Sequence, residues 1–363
     1  MEPPATQVWS PEALSQLHRW LAEAPGHALP APSTAALDAA QQSGDVAGID
    51  RAATQAALQL ARAIALGCTA SDARSGWHVP DADARLDLAA MLRDALAGQR
   101  VDAFFADLLP QHPDYAALHA AYATETDPAR RATIARNMER WRWMPHALGK
   151  DFLQVNAAAF RVDLWRDGAK ARSWKVIVGK VSSPTPVFMA TVRGVQVNPW
   201  WDIPPNIVRE SVGSLVRRHP DLARKRGYVW GGGRYRQRPG PGNSLGLMKL
   251  VMPNSFNIYL HDTPTKSLFA RDVRAFSHGC VRVDDAMGLA EALLMPDVPR
   301  AQIDAAVASG ATTDLRLAHS LPVYITYFTA EPGEDGKIAI LPDIYNRDGA
   351  MGDVDRPRAP CPA

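Results

Sequence analysis

The stretch Ser277-His278-Gly279-Cys280-Val281-Arg282 places a thiol next to a glycine and two residues from an imidazole. A thiol is a useful nucleophile only as the thiolate, and a neighbouring imidazole is the usual means of forming one near neutral pH. On an extended backbone His278 and Cys280 lie on the same face, because strand side chains repeat every two residues. Gly279 removes bulk, so the N–H groups of Gly279 and Cys280 can approach and stabilise an oxyanion. The stretch therefore predicts a nucleophilic cysteine on a β scaffold.

A second histidine, His261, ends the apolar stretch Ile258-Tyr259-Leu260 and precedes Asp262. The 15 residues between His261 and Ser277 are ample to bring His261 back beside Cys280 from a neighbouring strand. Both histidines are candidate bases, and their spacing alone does not rank them.

Three other interpretations compete with catalysis. Cys280 can be a buried core thiol, although such a thiol needs neither two histidines nor an adjacent glycine. His261, His278 and Cys280 can be zinc ligands, with Asp262 as the only nearby fourth ligand. The third interpretation is a catalytic fold that has lost its activity and serves for binding, against which the intact cysteine and both histidines count.

The composition is that of an ordinary globular protein. Its 363 residues suffice for two domains, and a formal net charge of +2 argues against a dedicated nucleic-acid binder. The three cysteines exclude a disulfide framework and leave at least one thiol unpaired. We expect Cys68 to be a small core residue and Cys361, in a Pro-rich tail, to be exposed.

No apolar run is long enough to span a membrane, and the opening Met1-Glu2-Pro3-Pro4 lacks a signal pattern. The protein is therefore either cytoplasmic or exported by a segment that lies outside this sequence.

The first part of the chain, 1–140, predicts a helical scaffold domain. Leu88, Leu92 and Ala95 step by four and three, which gives one apolar stripe. Asp127-Pro128 is a cap followed by proline at the first helical position. The helix that follows would turn three apolar residues toward a core: Ile134, Met138 and Trp141.

After about residue 150 the pattern changes to short strands separated by turn signals, which is typical of a sandwich or barrel rather than a parallel sheet. Asp167-Gly168 and Asp335-Gly336 are hairpin signals. The strand candidates are 152–165, 173–178, 186–197, 254–260, 281–283 and 322–328.

An insertion at about 204–238 interrupts these strands. It begins as a helix, continues into a basic stretch and contains Gly231-Gly232-Gly233. A triple glycine has no preferred backbone conformation, so we interpret the insertion as a mobile lid, with a simple solvated insertion as the alternative. The glycines lack the G-K-[ST] ending of a phosphate-binding loop.

The pattern of His261, a gap of 15 residues and Ser277-His278-Gly279-Cys280 resembles the signature of the L,D-transpeptidases, the YkuD-type catalytic domain, in their large periplasmic Gram-negative branch. Flanking segments stand in the expected order from about residue 140 to 348. They are Arg140-Trp141-Arg142-Trp143-Met144-Pro145, Val178-Gly179-Lys180, Asn198-Pro199-Trp200-Trp201, Pro239-Gly240-Pro241-Gly242-Asn243, His261-Asp262-Thr263-Pro264 and Arg274-Ala275-Phe276.

The resemblance implies an α+β protein. A helical scaffold (1–140) would precede a mainly-β, YkuD-like sandwich (141–350), which carries the partly helical lid and is followed by a Pro-rich tail (351–363). This branch usually has a peptidoglycan-binding module between the helices and the Arg140-Trp141 segment. Only about twenty residues separate Tyr122 from Trp141 here, so no such module fits.

The resemblance also implies roles for the residues around the thiol. Cys280 would attack a peptide carbonyl, His261 would take its proton, and His278 would support the site. Arg282 stands where many members carry asparagine, and would bind a substrate carboxylate or brace the loop. Tyr259 and the backbone of Gly279 would face the oxyanion, and Ser277 would lie in the substrate site. Trp200 or Trp201 would form an aromatic wall, with ordinary core packing as the alternative.

The implied activity is transfer between peptide stems of peptidoglycan through a cysteine thioester, without a cofactor or metal. The bridge would join two diaminopimelate residues (3-3), or use the first stem residue as donor (1-3). A carbapenem would acylate Cys280. Because the wall lies outside the cytoplasm, we expect a periplasmic location with wall-synthesis partners. An L,D-carboxypeptidase or endopeptidase, a non-catalytic wall-binding protein and a metalloprotein stay open as alternatives.

Overall fold

The computed structural model describes residues 8–30, 32–70, 73–74, 76–80, 85–333, 335–352, 354 and 361. The chain forms two compact units, each described here by itself. The helical unit comprises Met1–Leu148 and Phe328–Ala363, and the β unit comprises Gly149–Tyr327. This helical region followed by a mainly-β region confirms the predicted α+β class.

The helices of the helical unit start at sequence-encoded caps. Ser10 accepts a hydrogen bond from the backbone of Ala13, and Asp127 caps the last long helix in the same way. Prolines occupy the first helical position after both caps. The elements are α1 (Pro11–Glu23), a 3-10 turn (Ala24–His27), α2 (Ala35–Ser43), α3 (Val46–Leu66), strand β1 (Trp77–His78), α4 (Leu88–Ala97), α5 (Val101–Leu108), α6 (Pro113–Thr124) and α7 (Pro128–Arg142).

Small and aliphatic side chains fill the core of this unit. The α3 helix turns alanines and Leu60 inward, so its neighbours approach closely, and Leu92 and Ala95 of α4 are buried as predicted. The predicted start of α7 at Pro128 is confirmed. Its predicted core residues are also buried: Ile134, Met138 and Trp141.

The β unit is built on one sheet with additional helices. Its strands are β2 (Phe152–Asn156), β3 (Arg161–Arg166), β4 (Ala169–Gly179), β5 (Val187–Val197), β6 (Trp201–Asp202), β7 (Tyr228–Gly231), β8 (Arg234–Gln237), β9 (Met248–Val251), β10 (Leu260–His261), β11 (Ala275–Ser277), β12 (Val281–Val283) and β13 (Thr313–Thr326). Its α-helices are α8 (Pro205–Ile207), α9 (Gly213–Arg218), α10 (Pro220–Lys225), α11 (Ala286–Leu294) and α12 (Arg300–Ala308).

Within this unit the sheet runs β5-β13-β2-β3-β4-β12-β10-β9, and β9 pairs back with β5, so the path closes on itself. Most neighbours are antiparallel, while β2–β13, β10–β12 and β4–β11 are parallel. Helix α11 packs its apolar face against β5, β9 and β13. A closed, mostly antiparallel sheet agrees with the sandwich or barrel that the turn spacing predicts.

The turn signals located strands better than the apolar runs did. Asp167 and Gly168 both have positive φ and join β3 to β4, the geometry of a two-residue hairpin turn. The predicted strand over 254–260 is wrong except at its end. Asn254 instead organises a loop, since its amide donates to Met252 and Ile258 while its side-chain oxygen accepts from Phe256 and Ile258.

The insertion at 204–238 is partly helical, as predicted. A π-helical turn, Val208–Val212, lies between α8 and α9, and β7 and β8 then form a hairpin beside β6. Gly232 and Gly233 both have positive φ and make the two-residue turn between Gly231 and Arg234. The triple glycine is therefore a tight hairpin turn, for which Gly is favoured because both central residues need positive φ.

The chain after β13 belongs to the helical unit, where β14 (Ala330–Pro332) and β15 (Ile338–Ile340) form the hairpin that Asp335-Gly336 predicts. Phe328 stacks on Trp141 at 4.4 Å between ring centroids, and Asn137 donates to Thr329. Arg140 and Asp348 form an ion pair at 2.6 Å. Because of these contacts the unit boundaries differ from the predicted 141–350 domain, since 141–148 and 328–350 pack with the helices.

Cys68 and Cys361 form a disulfide across a separation of 293 residues, which the sequence analysis did not predict, and the expected exposure of Cys361 is wrong. Cys280 is the free cysteine of the described residues. One bridge and one free thiol agree with the odd cysteine count, which left at least one thiol unpaired. Most of the tail 351–363 lies outside the described residues, although Cys361 itself is described and partly buried.

A buried polar network lies inside the helical unit. The Arg142 guanidinium is fully buried and donates to the Tyr115 hydroxyl at 3.1 Å, to the Glu139 carboxylate at 3.1 Å and to the His27 carbonyl. Glu139 also accepts from the backbone N–H groups of Cys68 and Thr69 at 2.7 Å. Each charge is therefore paired and hydrogen-bonded, which burial of an ion pair requires.

None of the helices in the described part of the chain is long and apolar enough to cross a membrane.

The His27 imidazole makes the helical unit sensitive to acid. Burial, the stacked His119 ring at 4.2 Å and the nearby Arg142 lower the pKa of His27 to about 3. In the unfolded chain His27 takes up a proton below about pH 6.5, but the folded unit resists protonation down to about pH 3. The contribution of neutral His27 to the free energy of unfolding is therefore complete above pH 6.5. It falls by on the order of 1 kcal/mol per pH unit as the pH drops from 6.5 toward 3.

Urea unfolding followed by tryptophan fluorescence between pH 7 and 4.5 measures this effect. We expect His27→Asn to flatten the loss of stability relative to the wild type, whereas His18→Asn, on a half-exposed position of α1, should leave the slope unchanged. Equal slopes for the wild type and His27→Asn would show that His27 does not set the acid sensitivity.

Candidate active site

The parallel pairing of β10 with β12 brings the predicted catalytic residues onto one face. Leu260 is the register partner of Val281, and both are fully buried in the core. Because strand side chains alternate, the neighbours of these two residues emerge on the opposite face. That face carries Tyr259, His261, Cys280 and Arg282.

A tight turn between β11 and β12 presents Cys280. Gly279 has φ +114°, and a Cβ there would lie 3.1 Å from the Ile258 side chain, so a larger residue is strained as well as crowded. The Ser277 hydroxyl donates to the Cys280 carbonyl at 2.5 Å and accepts from the Gly279 N–H at 3.0 Å. The Thr185 hydroxyl donates to the Gly279 carbonyl at 2.8 Å. The Ser277 hydroxyl therefore stabilises this turn through two hydrogen bonds.

His261 is held as a neutral imidazole with one defined free nitrogen. Its Nδ1 lies 2.5 Å from the Asp262 carbonyl oxygen, which fixes the proton on Nδ1 and leaves Nε2 as an acceptor. Burial and the Arg282 charge lower the pKa of His261 to about 4. The Asp262 carboxylate accepts from Leu247 N–H at 2.8 Å and from Lys266 at 2.5 Å, which anchors the residue that orients the ring.

Cys280 rests as a thiol. Burial raises the pKa of Cys280 above the ordinary thiol value, and a backbone hydrogen bond from Tyr259 and the charges of Arg282 and Lys249 only partly oppose it. Among the described residues no hydrogen bond joins Sγ to either imidazole, and Sγ lies 3.9 Å from the Asn257 carbonyl oxygen. Catalytic hydrogen bonds are often long before substrate binds.

His278 does not share a face with Cys280, contrary to the sequence argument, because Gly279 breaks the strand alternation between them. Its Nε2 instead lies 2.8 Å from a Glu210 carboxylate oxygen and 3.4 Å from the Lys180 ammonium. Lys180 binds the other Glu210 oxygen at 2.7 Å. Glu210 belongs to the 204–238 insertion, so this triad connects the insertion to the turn that carries the thiol.

Sequence reasoning missed both Glu210 and Lys249. The sequence offered one signal for Glu210, because it is an acidic residue within a basic insertion. Lys249 is the register partner of His261 on β9, and its ammonium lies 4.7 Å from the centre of the Tyr259 ring. Nothing in the local sequence marks it, because the pairing of β9 with β10 is set by the fold.

The two tryptophans lie at the base of the lid, and both are half-buried. The Arg236 guanidinium lies 4.6 Å from the Trp200 ring, and Trp201 pairs with Gln237 in the small sheet. Their role as an aromatic wall stays a prediction.

The zinc interpretation receives no support from the donor arrangement. The described residues contain no group of three or more His, Cys, Asp or Glu side chains placed to hold a metal ion. Asp262, the predicted fourth ligand, directs its carboxylate at Lys266 and a backbone N–H instead.

Two protein-family models match parts of this chain. Residues 150–314 match the family model of the YkuD, L,D-transpeptidase catalytic domain. This stretch of the chain is therefore similar to the L,D-transpeptidase catalytic domains of the YkuD family. Residues 6–121 match a model described as a scaffold domain.

A Haemophilus influenzae protein that carries the provisional name L,D-transpeptidase is 34% identical over 236 residues. The match covers 59% of this chain and 48% of that relative, so the chain spans about half the relative's length.

Solved L,D-transpeptidases resemble the chain weakly. One from Mycobacterium smegmatis is 13% identical, with a TM-score of 0.27 over 49% of this chain and 58% of its own. L,D-transpeptidase 3 from Mycobacterium tuberculosis is 16% identical, with a TM-score of 0.27 over 49% and 61%.

The raised pKa of Cys280 predicts how the β unit reacts with a small alkylating agent. A thiol with raised pKa holds little thiolate at neutral pH, so the alkylation rate should keep climbing beyond pH 9. Iodoacetamide labelling read by intact-protein mass, with Cys280→Ser as control, measures the profile. A rate that is already at its plateau between pH 5 and 7 would mean a resident thiolate–imidazolium pair.

The Glu210 triad predicts a lid that loosens when the carboxylate is neutralised. In Glu210→Gln we expect trypsin to cut at Arg217 or Arg218 roughly two- to fivefold faster, since exposed ion pairs contribute little individually. Glu291→Gln, which removes an exposed partner of Arg300 elsewhere in the β unit, is the matched control. Equal cleavage rates in both variants would show that the triad does not restrain the lid.

Proposed function

We propose that this protein is a peptidoglycan L,D-transpeptidase that transfers peptide stems through a thioester on Cys280. The observation that carries the proposal is the joint placement of Cys280, a neutral His261 and the Gly279–Cys280 turn on one face of a YkuD-family domain.

The first half-reaction forms the thioester. As Sγ attacks the carbonyl carbon of an L,D peptide bond, its proton passes to His261 Nε2, the free acceptor nitrogen. The carbonyl oxygen becomes an oxyanion that the N–H groups of Gly279 and Cys280 stabilise, with Tyr259 facing it. The C–N bond then breaks, His261 returns the proton to the leaving amine, and the distal D-residue departs.

The second half-reaction joins two stems. The side-chain amine of a diaminopimelate residue on a neighbouring stem attacks the thioester carbon and gives a proton to His261. The C–S bond breaks, the new amide forms, and the sulfur regains its proton. If water replaces the amine, the same steps give an L,D-carboxypeptidase or endopeptidase.

The two histidines have different parts in this mechanism. His261 is buried and neutral with a free nitrogen, which suits a base. His278 is engaged by Glu210 and Lys180 and supports the lid and the turn. The basic lid faces substrates that carry free carboxylates, so charge complementarity favours stem binding there.

The Cys68–Cys361 disulfide supports an extracytoplasmic location. Such bonds persist in oxidising compartments, of which the bacterial periplasm is one. We therefore place the protein in the periplasm, where the wall polymer lies, with wall-synthesis proteins as candidate partners.

Incubation of the purified protein with peptidoglycan stems, read by mass spectrometry of the products, tests the proposal. We expect cross-linked dimers, whose fragmentation distinguishes 3-3 from 1-3 bridges, and a carbapenem adduct on Cys280 that Cys280→Ser lacks. Formation of the free acid without any dimer would favour the hydrolase. Unchanged stems together with the absence of an adduct on Cys280 would refute the assignment as an enzyme.

The same assay ranks the histidines. His261→Gln should lower the rate about 10²- to 10⁴-fold, the usual contribution of a general base. His278→Gln should lower it much less, because its ring contacts the lid rather than the reacting atoms. A larger loss in His278→Gln would reverse the assignment.

A further inference from the structure

The hairpin of β7 and β8, in the 204–238 insertion, presents three aromatic side chains on one face. Trp230 of β7 is the register partner of Tyr235 of β8, and register partners share a face of a sheet. Tyr228 lies two positions before Trp230 on the same strand, so strand alternation places it on that face as well. We call Tyr228, Trp230 and Tyr235 the aromatic face.

The aromatic face is open to solvent. Trp230 is 64% exposed and is the exposed tryptophan of the described residues, whereas Tyr228 and Tyr235 are half-buried. The Trp230 and Tyr235 rings meet edge to face at 4.8 Å between centroids, which holds the exposed indole in one orientation. A Cβ on Gly232 or Gly233 would meet no atom within 4 Å, so the end of the hairpin is open too. Because tryptophan is usually well buried, an oriented and exposed aromatic cluster indicates a binding surface.

The charged side chains of this small sheet lie on its other face. Asp202 of β6 is the register partner of Arg236, and its carboxylate binds Arg236 at 2.6 Å and Arg234 at 3.5 Å. Because Arg234 and Arg236 alternate with Tyr235 along β8, their side chains leave the strand on the side opposite to the aromatic rings. The aromatic face therefore carries no formal charge and is complementary to a neutral ligand.

The two tyrosines add hydrogen-bonding groups to the aromatic face. In the described part of the chain, no protein group pairs with the hydroxyl of Tyr228 or Tyr235. A pyranose ring suits this arrangement, because its C–H bonds pack on the negative face of an aromatic ring while its polar substituents hydrogen-bond at the edge. An apolar helix of a protein partner would instead leave the covered hydroxyls unpaired, which costs free energy.

We infer that the aromatic face binds the glycan strand of peptidoglycan, with one N-acetylated sugar ring stacked on Trp230. This inference rests on the proposed function, because the glycan strand carries the peptide stems that Cys280 would take. The insertion that bears the aromatic face also bears Glu210, whose carboxylate contacts His278 beside the thiol turn. The strand and its stem would therefore bind to one β unit through different residues.

Calorimetric titration with a tetramer of N-acetylglucosamine tests the inference with a neutral probe that has no peptide stem. We expect saturable binding to the wild type that persists at about 0.5 M salt, because salt screens ionic contacts and not stacking. Trp230→Ala should weaken binding roughly 5- to 20-fold, the loss expected for one aromatic contact and its buried area. Trp230→Phe keeps a ring and should lose much less.

Matched variants separate the aromatic face from the rest of the insertion. Leu222→Ala removes an exposed apolar side chain of α10, and Arg234→Gln removes a charge from the opposite face of the hairpin. Neither variant should alter the titration.

Oxidative labelling of the wild type, read by peptide mass, needs no variant. The sugar tetramer should slow oxidation of Trp230 but not of Met295, which is exposed elsewhere in the β unit.

The outcomes distinguish the two proposals. Absence of sugar binding by the wild type, equal affinity in Trp230→Ala, or unchanged oxidation of Trp230 would overturn the glycan site while leaving stem transfer by Cys280 intact. Self-association that Trp230→Ala abolishes, without sugar binding, would identify a contact between copies of the chain and overturn the glycan site as well. Sugar binding without stem transfer or an adduct on Cys280 would instead overturn the proposed function and leave the glycan site standing.

Discussion

The parallel pairing of β10 with β12 is the constraint on which the active site depends. This pairing determines which residues of two distant segments share a face. The fully buried Leu260 and Val281 stabilise its register from the core side of the sheet. A slip of one residue would turn His261 into the core and Leu260 outward, so the catalytic face and the apolar core specify the same pairing. The packing of apolar side chains in the core therefore also stabilises the strand register that forms the site.

The electrostatics of this face keep both candidate catalytic groups neutral at rest. Burial and, to a smaller extent, the flanking cations keep His261 unprotonated, and burial keeps Cys280 protonated. A neutral pair of this kind transfers a proton only when the sulfur begins to bond to carbon, which limits reaction with passing electrophiles.

Sequence reasoning identified the candidate nucleophile and predicted the strand that follows it, because both depend on local features. Asp167-Gly168 and the caps of α1 and α7 are likewise short-range signals that the fold keeps. Lys249 was missed because its importance arises from strand pairing between β9 and β10, which no spacing reveals. The Cys68–Cys361 bond was missed for the same reason, since its halves are 293 residues apart. The strand expected over 254–260 failed where the Asn254 side chain competes with the ladder for backbone groups.

The φ angle of Gly279 explains why two histidines that look equivalent in the sequence have different surroundings in the structure. The positive φ of Gly279 turns the chain between His278 and Cys280, which releases His278 from the catalytic face and directs it to Glu210 and Lys180. Glycine is thus needed twice over, for the turn that exposes the thiol and for the close approach to Ile258. The same dihedral therefore determines both which imidazole faces the thiol and which one joins the ion-pair network of Glu210, a residue of the 204–238 insertion.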